Sequence, residues 1–82
     1  MDVAENISVY PNPVVQEVVV LSGTGDMMNS IELFSSTGKL VFSNTNPVIK
    51  TTINLSDLAP GIYMLKINTE KGTTIKKVYK MQ

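Results

Sequence analysis

The chain has 82 residues, a formal net charge of zero, and neither cysteine nor histidine. That length makes one domain, and the missing residue types exclude disulfide staples, thiolate nucleophiles, imidazole bases and the common zinc sites. Seven lysines without an arginine, with only three Tyr and two Phe, argue against nucleic-acid binding, and no apolar run approaches the ~20 residues of a membrane helix.

Strand and turn signals alternate every ~8–12 residues, the spacing of an all-β domain. Asn6 to Tyr10 alternates with Ile7 and Val9 inward, and Pro11-Asn12-Pro13 ends it. Proline has no N–H to give to a ladder, so this first strand belongs at an edge or leaves the sheet there. Glu17 to Ser22 is the second strand, with Val18 and Val20 on one face and Val19 and Leu21 on the other. Gly23 to Asp26 is a loop, and Met27-Met28-Asn29 leads into a third strand, Ser30 to Ser35, with Ile31 and Leu33 on one face. Ser36-Thr37-Gly38-Lys39 reads as a tight hairpin with Gly38 in the left-handed position after a type I turn. Leu40 to Ser43 returns antiparallel.

A polar loop, Asn44 to Val48, leads to the fifth strand, Lys50 to Leu55. Ser56 and Asp57 have the side chains to cap backbone N–H groups, which predicts a single helical turn, with Leu58 dropping back into the core. Pro60-Gly61 fits the middle of a type II turn. The sixth strand, Gly61 to Thr69, places Tyr63, Leu65 and Ile67 on one face. Thr69-Glu70-Lys71-Gly72 repeats the earlier hairpin chemistry, with Gly72 in the role of Gly38. Thr73 to Lys80 is the last strand. Its Ile75 and Val78 are three apart and cannot both face inward without a bulge near Lys76-Lys77; otherwise the strand offers apolar groups to both sides. The pattern predicts an all-β fold, a small antiparallel β-sandwich of about seven strands with immunoglobulin-like architecture. An open barrel is the alternative.

Charge is unevenly placed along the chain. All five acids up to Glu32 precede the first basic residue, whereas the seven lysines that follow meet only Asp57 and Glu70. The final stretch holds Lys71, Lys76, Lys77 and Lys80 with no acid. Such a run marks either an interaction surface or an edge strand guarded against sticking to neighbours.

No catalytic constellation emerges. The serines lack a histidine base, and nothing in the spacing suggests a Ser-Lys pair. The acids are spread over turns and strand faces as solvated charges. Asp26 and Asp57 are single acids in turns, without the density of a calcium loop. Gly23-x-Gly25 opens no helix and is too short to cradle a phosphate. Met27, Met28 and Met64 share no ligand spacing and read as filler. Neither enzyme activity nor a cofactor is expected.

Four motifs together resemble a known family. Val9-Tyr10-Pro11-Asn12-Pro13-Val14 is its YPNP-type opening, and Leu33 to Val41 is similar to its hairpin motif. Ile53 to Tyr63, reading INLSDLAPGIY, matches its "I-x-L-S-x-L-x-x-G-(I/V)-Y" run, and Lys76-Lys77-Val78 its basic terminal strand. The family is the C-terminal sorting domain of the type IX (Por) secretion system of Bacteroidetes. The sequence departs from it at Phe34 and at Ser35, where Tyr and Asp or Asn are usual, which questions any hydrogen-bonding role of that hairpin.

The resemblance implies a non-catalytic secretion signal, with residues 1–82 a single sorting domain detached from a larger secreted cargo. The first residues lack the basic and apolar regions of a signal peptide, so an exported parent would carry that signal further upstream. Such a cargo passes through the periplasm, is recognised by the outer-membrane translocon, and is cut free by a sortase-like peptidase. It ends at the cell surface or outside the cell. Recognition is expected at Lys76, Lys77, Val78 and Lys80, by strand addition. Gly38, Gly61 and Gly72 read as turn glycines, Leu58 and Tyr63 as core, and Tyr10-Pro11-Asn12-Pro13 as the end of an edge strand. Weak pairing of two copies through edge strands is a further expectation, and no membrane insertion is. The alternative function is an accessory carbohydrate- or protein-binding module of a secreted enzyme.

Overall fold

Alternation of β-branched and aliphatic residues with polar ones lets each strand bury one face, and seven strands do so in two layers. The computed structural model describes residues 7–23 and 25–82; Asn6 and Thr24, assigned above to the first strand and to a loop, lie outside them. The strands are β1 (Ile7–Tyr10), β2 (Glu17–Ser22), β3 (Met28–Ser35), β4 (Leu40–Asn44), β5 (Lys50–Asn54), β6 (Gly61–Thr69) and β7 (Gly72–Lys80). One sheet has the order β1-β2-β5 and the other β4-β3-β6-β7, and every pairing between these strands is antiparallel. This is an immunoglobulin-like sandwich in which the fourth strand has joined the sheet of the third, sixth and seventh.

The core fills the space between the layers. Ile7, Val18, Val20 and Ile53 come from the first sheet, and Ile31, Leu33, Tyr63, Leu65, Ile67 and Val78 from the second. Met28, Leu55 and Val14 are fully buried beside them. With no disulfide, burial of these side chains, roughly 1.5–3 kcal/mol each, is the principal term opposing chain entropy.

The local elements differ from expectation in a few places. β3 begins at Met28 rather than Ser30, because Met28 is buried and its register with β6 is accommodated by a shift between Met28 and Ser30. β5 ends at Asn54, and Leu55 instead donates its N–H to the Gln16 carbonyl at 2.7 Å. At Ser56-Asp57 the chain makes one turn and no helix. A single turn closes with the Leu58 N–H on the Leu55 carbonyl at 3.0 Å, and its cap is the preceding Asn54, whose Oδ1 accepts from the Ser56 N–H at 2.9 Å and the Ser56 hydroxyl at 2.7 Å. An asparagine that accepts the N–H two residues on makes an Asx turn, the same contact an N-cap makes, and here it caps one turn before the chain leaves for β6. Leu58 packs half-buried against the core. Gly61 has φ 153°, far from the value near +80° of a type II turn, because it is already the first residue of β6, opposite Lys80.

The β3–β4 hairpin follows the expected chemistry. The Gly38 N–H donates to the Ser35 carbonyl at 2.9 Å, and Gly38 has φ 88°, which a side-chain-bearing residue adopts only with strain. Ser35, in place of the usual Asp or Asn, still accepts the Lys39 N–H on its Oγ at 3.2 Å and bonds the Thr37 hydroxyl at 2.9 Å. Gly72 does not repeat the role of Gly38: the turn is the two residues Glu70-Lys71, and Gly72, with φ 139°, is already the first residue of β7, opposite Thr69. Lys71 reaches Asp26 across that end of the domain, 3.1 Å from Oδ2.

Candidate functional site: the latched terminal strand

β7 pairs with β6 without interruption from Gly72 to Lys80, so the bulge alternative is excluded and period two decides where each side chain goes. Thr74, Val78 and Lys80 are buried and Lys76 is half-buried on one face. Thr73, Ile75, Lys77 and Tyr79 are exposed on the other. The strand thus presents apolar groups on both sides: Val78 is 0% exposed and Ile75 58%. Of the four expected recognition residues, Lys76 and Lys77 reach solvent, whereas Val78 and Lys80 serve the packing. Lys80 is only 7% exposed, its stem covered while the ammonium turns out to donate to the Met81 carbonyl at 2.6 Å.

The outer edge of β7 is half covered, and the cover is the Tyr10–Val14 motif. Tyr10 ends β1 opposite Val19, and Pro11, Asn12 and Pro13 form an exposed bend with cis bonds before both prolines. The two prolines offer no N–H, so the Asn12 side chain stands in for a strand residue. Its Nδ2 donates to the Lys77 carbonyl at 3.0 Å and its Oδ1 accepts from the Tyr79 N–H at 2.9 Å. Val14 then bridges Lys80 in parallel, its N–H donating to the Tyr79 carbonyl and its carbonyl accepting from the Met81 N–H, both at 2.7 Å. The Val14 side chain is fully buried and pins the segment. Residues 12–14 are in effect a short extra strand, joined to the last one across 65 or more positions of sequence.

Sequence reasoning read the Pro-Asn-Pro segment only as the end of an edge strand and missed this latch, together with Val14 and Met81. One signal was available. An asparagine between two prolines can satisfy a neighbouring strand only through its carboxamide, which carries a donor and an acceptor spaced like a peptide group.

The Ile53–Tyr63 stretch leads into the open end of the β6–β7 hairpin. Tyr63, buried near the start of β6, donates its hydroxyl to the Ala59 carbonyl at 2.6 Å. This is the geometry of a tyrosine corner, in which a ring in the sixth strand ties down the loop that precedes it. Tyr63 lies opposite Val78, so the same ring helps set the terminal strand. Gly61 sits opposite Lys80 at the hairpin's open end.

Among the described residues no three His, Cys, Asp or Glu side chains could hold a metal ion, and no helix is long and apolar enough to cross a membrane. The class of protein defined here is a small immunoglobulin-like β-sandwich domain that ends in a basic, partly latched edge strand.

The comparisons with known proteins make the assignment specific. Residues 8–81 match the family model of the secretion system C-terminal sorting domain, and the chain belongs to that family. It is a type IX secretion sorting signal, which directs proteins toward the cell surface or extracellular space. Among solved structures it is similar to PorZ, described as an essential bacterial surface component of the type-IX secretion system of Porphyromonas gingivalis. The superposition has a TM-score of 0.78 at 16% identity, covering 98% of this chain and 12% of that one. That likeness speaks for the fold, and the chain spans about an eighth of PorZ. No curated protein matches the chain.

Proposed function

We propose that this domain is read in its folded form, as an address on a larger secreted cargo, and that it has no catalytic activity of its own. Its partner is the outer-membrane translocon of the type IX system, met after the cargo reaches the periplasm. A sortase-like peptidase then cuts ahead of the domain, and the cargo is attached to the surface or released. The observation that carries this reading is an exposed Lys77 beside a half-buried Lys76 on a terminal strand that the rest of the fold holds in place. Val78 and Lys80 contribute by fixing that strand, since both are buried.

The test fuses residues 1–82 to a signal-peptide-bearing fluorescent protein in a Bacteroidetes host. Fluorescence at the surface or in the medium is expected, with loss of export when Lys76–Gln82 is removed. Retention of the intact fusion in the periplasm would overturn the reading. Saturable binding of the isolated domain to a polysaccharide, without export, would favour the accessory-module alternative.

A further inference from the structure

We propose that the stretch of β7 beyond the latch, Thr73–Lys77, is a docking edge for an extended acidic segment of the secretion machinery, which pairs with it as an added strand. The inference rests on the translocon reading above and narrows it to one edge and one partner chemistry.

The edge follows from backbone parity. In an antiparallel pair both peptide groups of a residue point the same way, and the direction alternates along the strand. Tyr79 donates its N–H to Asn12 Oδ1 and its carbonyl accepts from the Val14 N–H, so both its backbone groups point away from β6. Lys77, Ile75 and Thr73 have the same parity. The Lys77 carbonyl is taken by Asn12. The N–H of Lys77 and both groups of Ile75 and Thr73 face outward, and no described residue bonds them. A partner strand of about five residues would span this segment at ~3.3 Å per residue. The Asn12 carboxamide occupies the next position, so an incoming strand stops there and its register is set.

The side chains define the occupant. Lys76 and Lys77 flank the open edge, and from Lys71 onward the chain contains no acid. On the outer face Ile75, Tyr79 (44% exposed) and Ile62 (45% exposed) form an apolar strip next to the edge, with Lys66 opposite Ile75 and Ile62 opposite Tyr79. A strand that alternates carboxylates with aliphatic side chains meets both the lysines and the strip. A second copy of this edge would bring the same lysines against their like, the device by which edge strands resist self-pairing.

The test uses 15N-labelled full chain and two synthetic heptapeptides, one alternating Glu with Val and one alternating Lys with Val. The Glu peptide is expected to shift and protect the amides of Thr73, Ile75 and Lys77 while sparing Tyr79 and Met81; the Lys peptide is not. Ile75→Pro deletes an outward N–H without touching the β6 ladder, and should abolish peptide binding and export of the fluorescent fusion. Lys77→Glu, which exchanges one exposed charge, should weaken Glu-peptide binding about threefold with its melting curve little changed. Absence of shifts at these three amides with the Glu peptide would overturn the proposal. So would normal export of a folded Ile75→Pro fusion, although the sorting function would then stand; failure of the unsubstituted fusion to export would count against the sorting reading instead. Protection of the same amides that grows with protein concentration and needs no peptide would assign the edge to a second copy and refute the acidic partner.

Discussion

Replacing Asn12 by alanine tests whether the latch is a real element of the fold. The substitution removes two hydrogen bonds, from Nδ2 to the Lys77 carbonyl at 3.0 Å and from the Tyr79 N–H to Oδ1 at 2.9 Å. Each ordinary bond contributes about 0.5–1.5 kcal/mol net, and both lie at an exposed edge where water can take over, so a loss of about 1–2 kcal/mol is expected. For a domain of this size that lowers the melting temperature by roughly 5–15 °C. The fold survives, because Val14 keeps its buried side chain and its two backbone bonds to Tyr79 and Met81. The diagnostic is local. Native-state hydrogen exchange should speed up at the Tyr79 and Met81 amides well before it does at Lys76 and Val78, whose parity turns them toward β6. If Tyr79 and Met81 exchange at unchanged rates in the variant, the carboxamide is not acting as a strand surrogate and the reasoning fails.

Further substitutions probe the scaffold behind the latch. Tyr63→Phe removes the 2.6 Å bond to the Ala59 carbonyl and should cost about 1 kcal/mol in chemical denaturation, with the native circular dichroism retained. Gly38→Ala places a Cβ at φ 88° with no neighbour to clash with, so the cost is backbone strain of about 1–2 kcal/mol, read as a lower denaturation midpoint. Ile67→Ala opens a cavity at a fully buried position and should cost about 2–5 kcal/mol, a large share of a small domain's stability, seen as partial unfolding near 37 °C. Lys71→Ala breaks an ion pair whose side chains are 52% and 33% exposed, and should change stability by less than about 1 kcal/mol.

Much of the fold was legible because it rests on short-range rules. All seven strands form within a residue or two of where alternation and turn residues place them, and the Gly38 hairpin forms as its type I turn chemistry requires. The errors are equally local. At Ser56-Asp57 the one expected turn closes, but its cap is Asn54, whose Oδ1 takes the Ser56 N–H and hydroxyl, and not Ser56 or Asp57. At Pro60-Gly61 the dipeptide suggested a type II turn, but pairing of Gly61 with Lys80 drew the glycine into β6. A ladder bond beyond the turn outweighs the turn's own preference, and the dipeptide alone carries no record of it.

The candidate site was legible in its chemistry and not in its geometry. That Ile75 and Val78 conflict over a single inward face could be read from their spacing. Which resolution holds could not, since a bulge and a two-faced strand share one pattern until the register with β6 is known. The identity of Lys76, Lys77, Val78 and Lys80 as a basic terminal strand came from the motif, whereas their division into one exposed, one half-buried and two buried positions came from the packing. Alternation, turn chemistry and charge are properties of neighbouring residues, so the order of amino acids determines them and, through them, the β-sandwich and the family. The hold of Asn12 and Val14 on Lys77, Tyr79 and Met81 depends on two ends of the chain meeting along one sheet edge. Hydrogen bonds between groups so far apart in sequence leave no periodic trace, and only the closed sandwich brings them within reach.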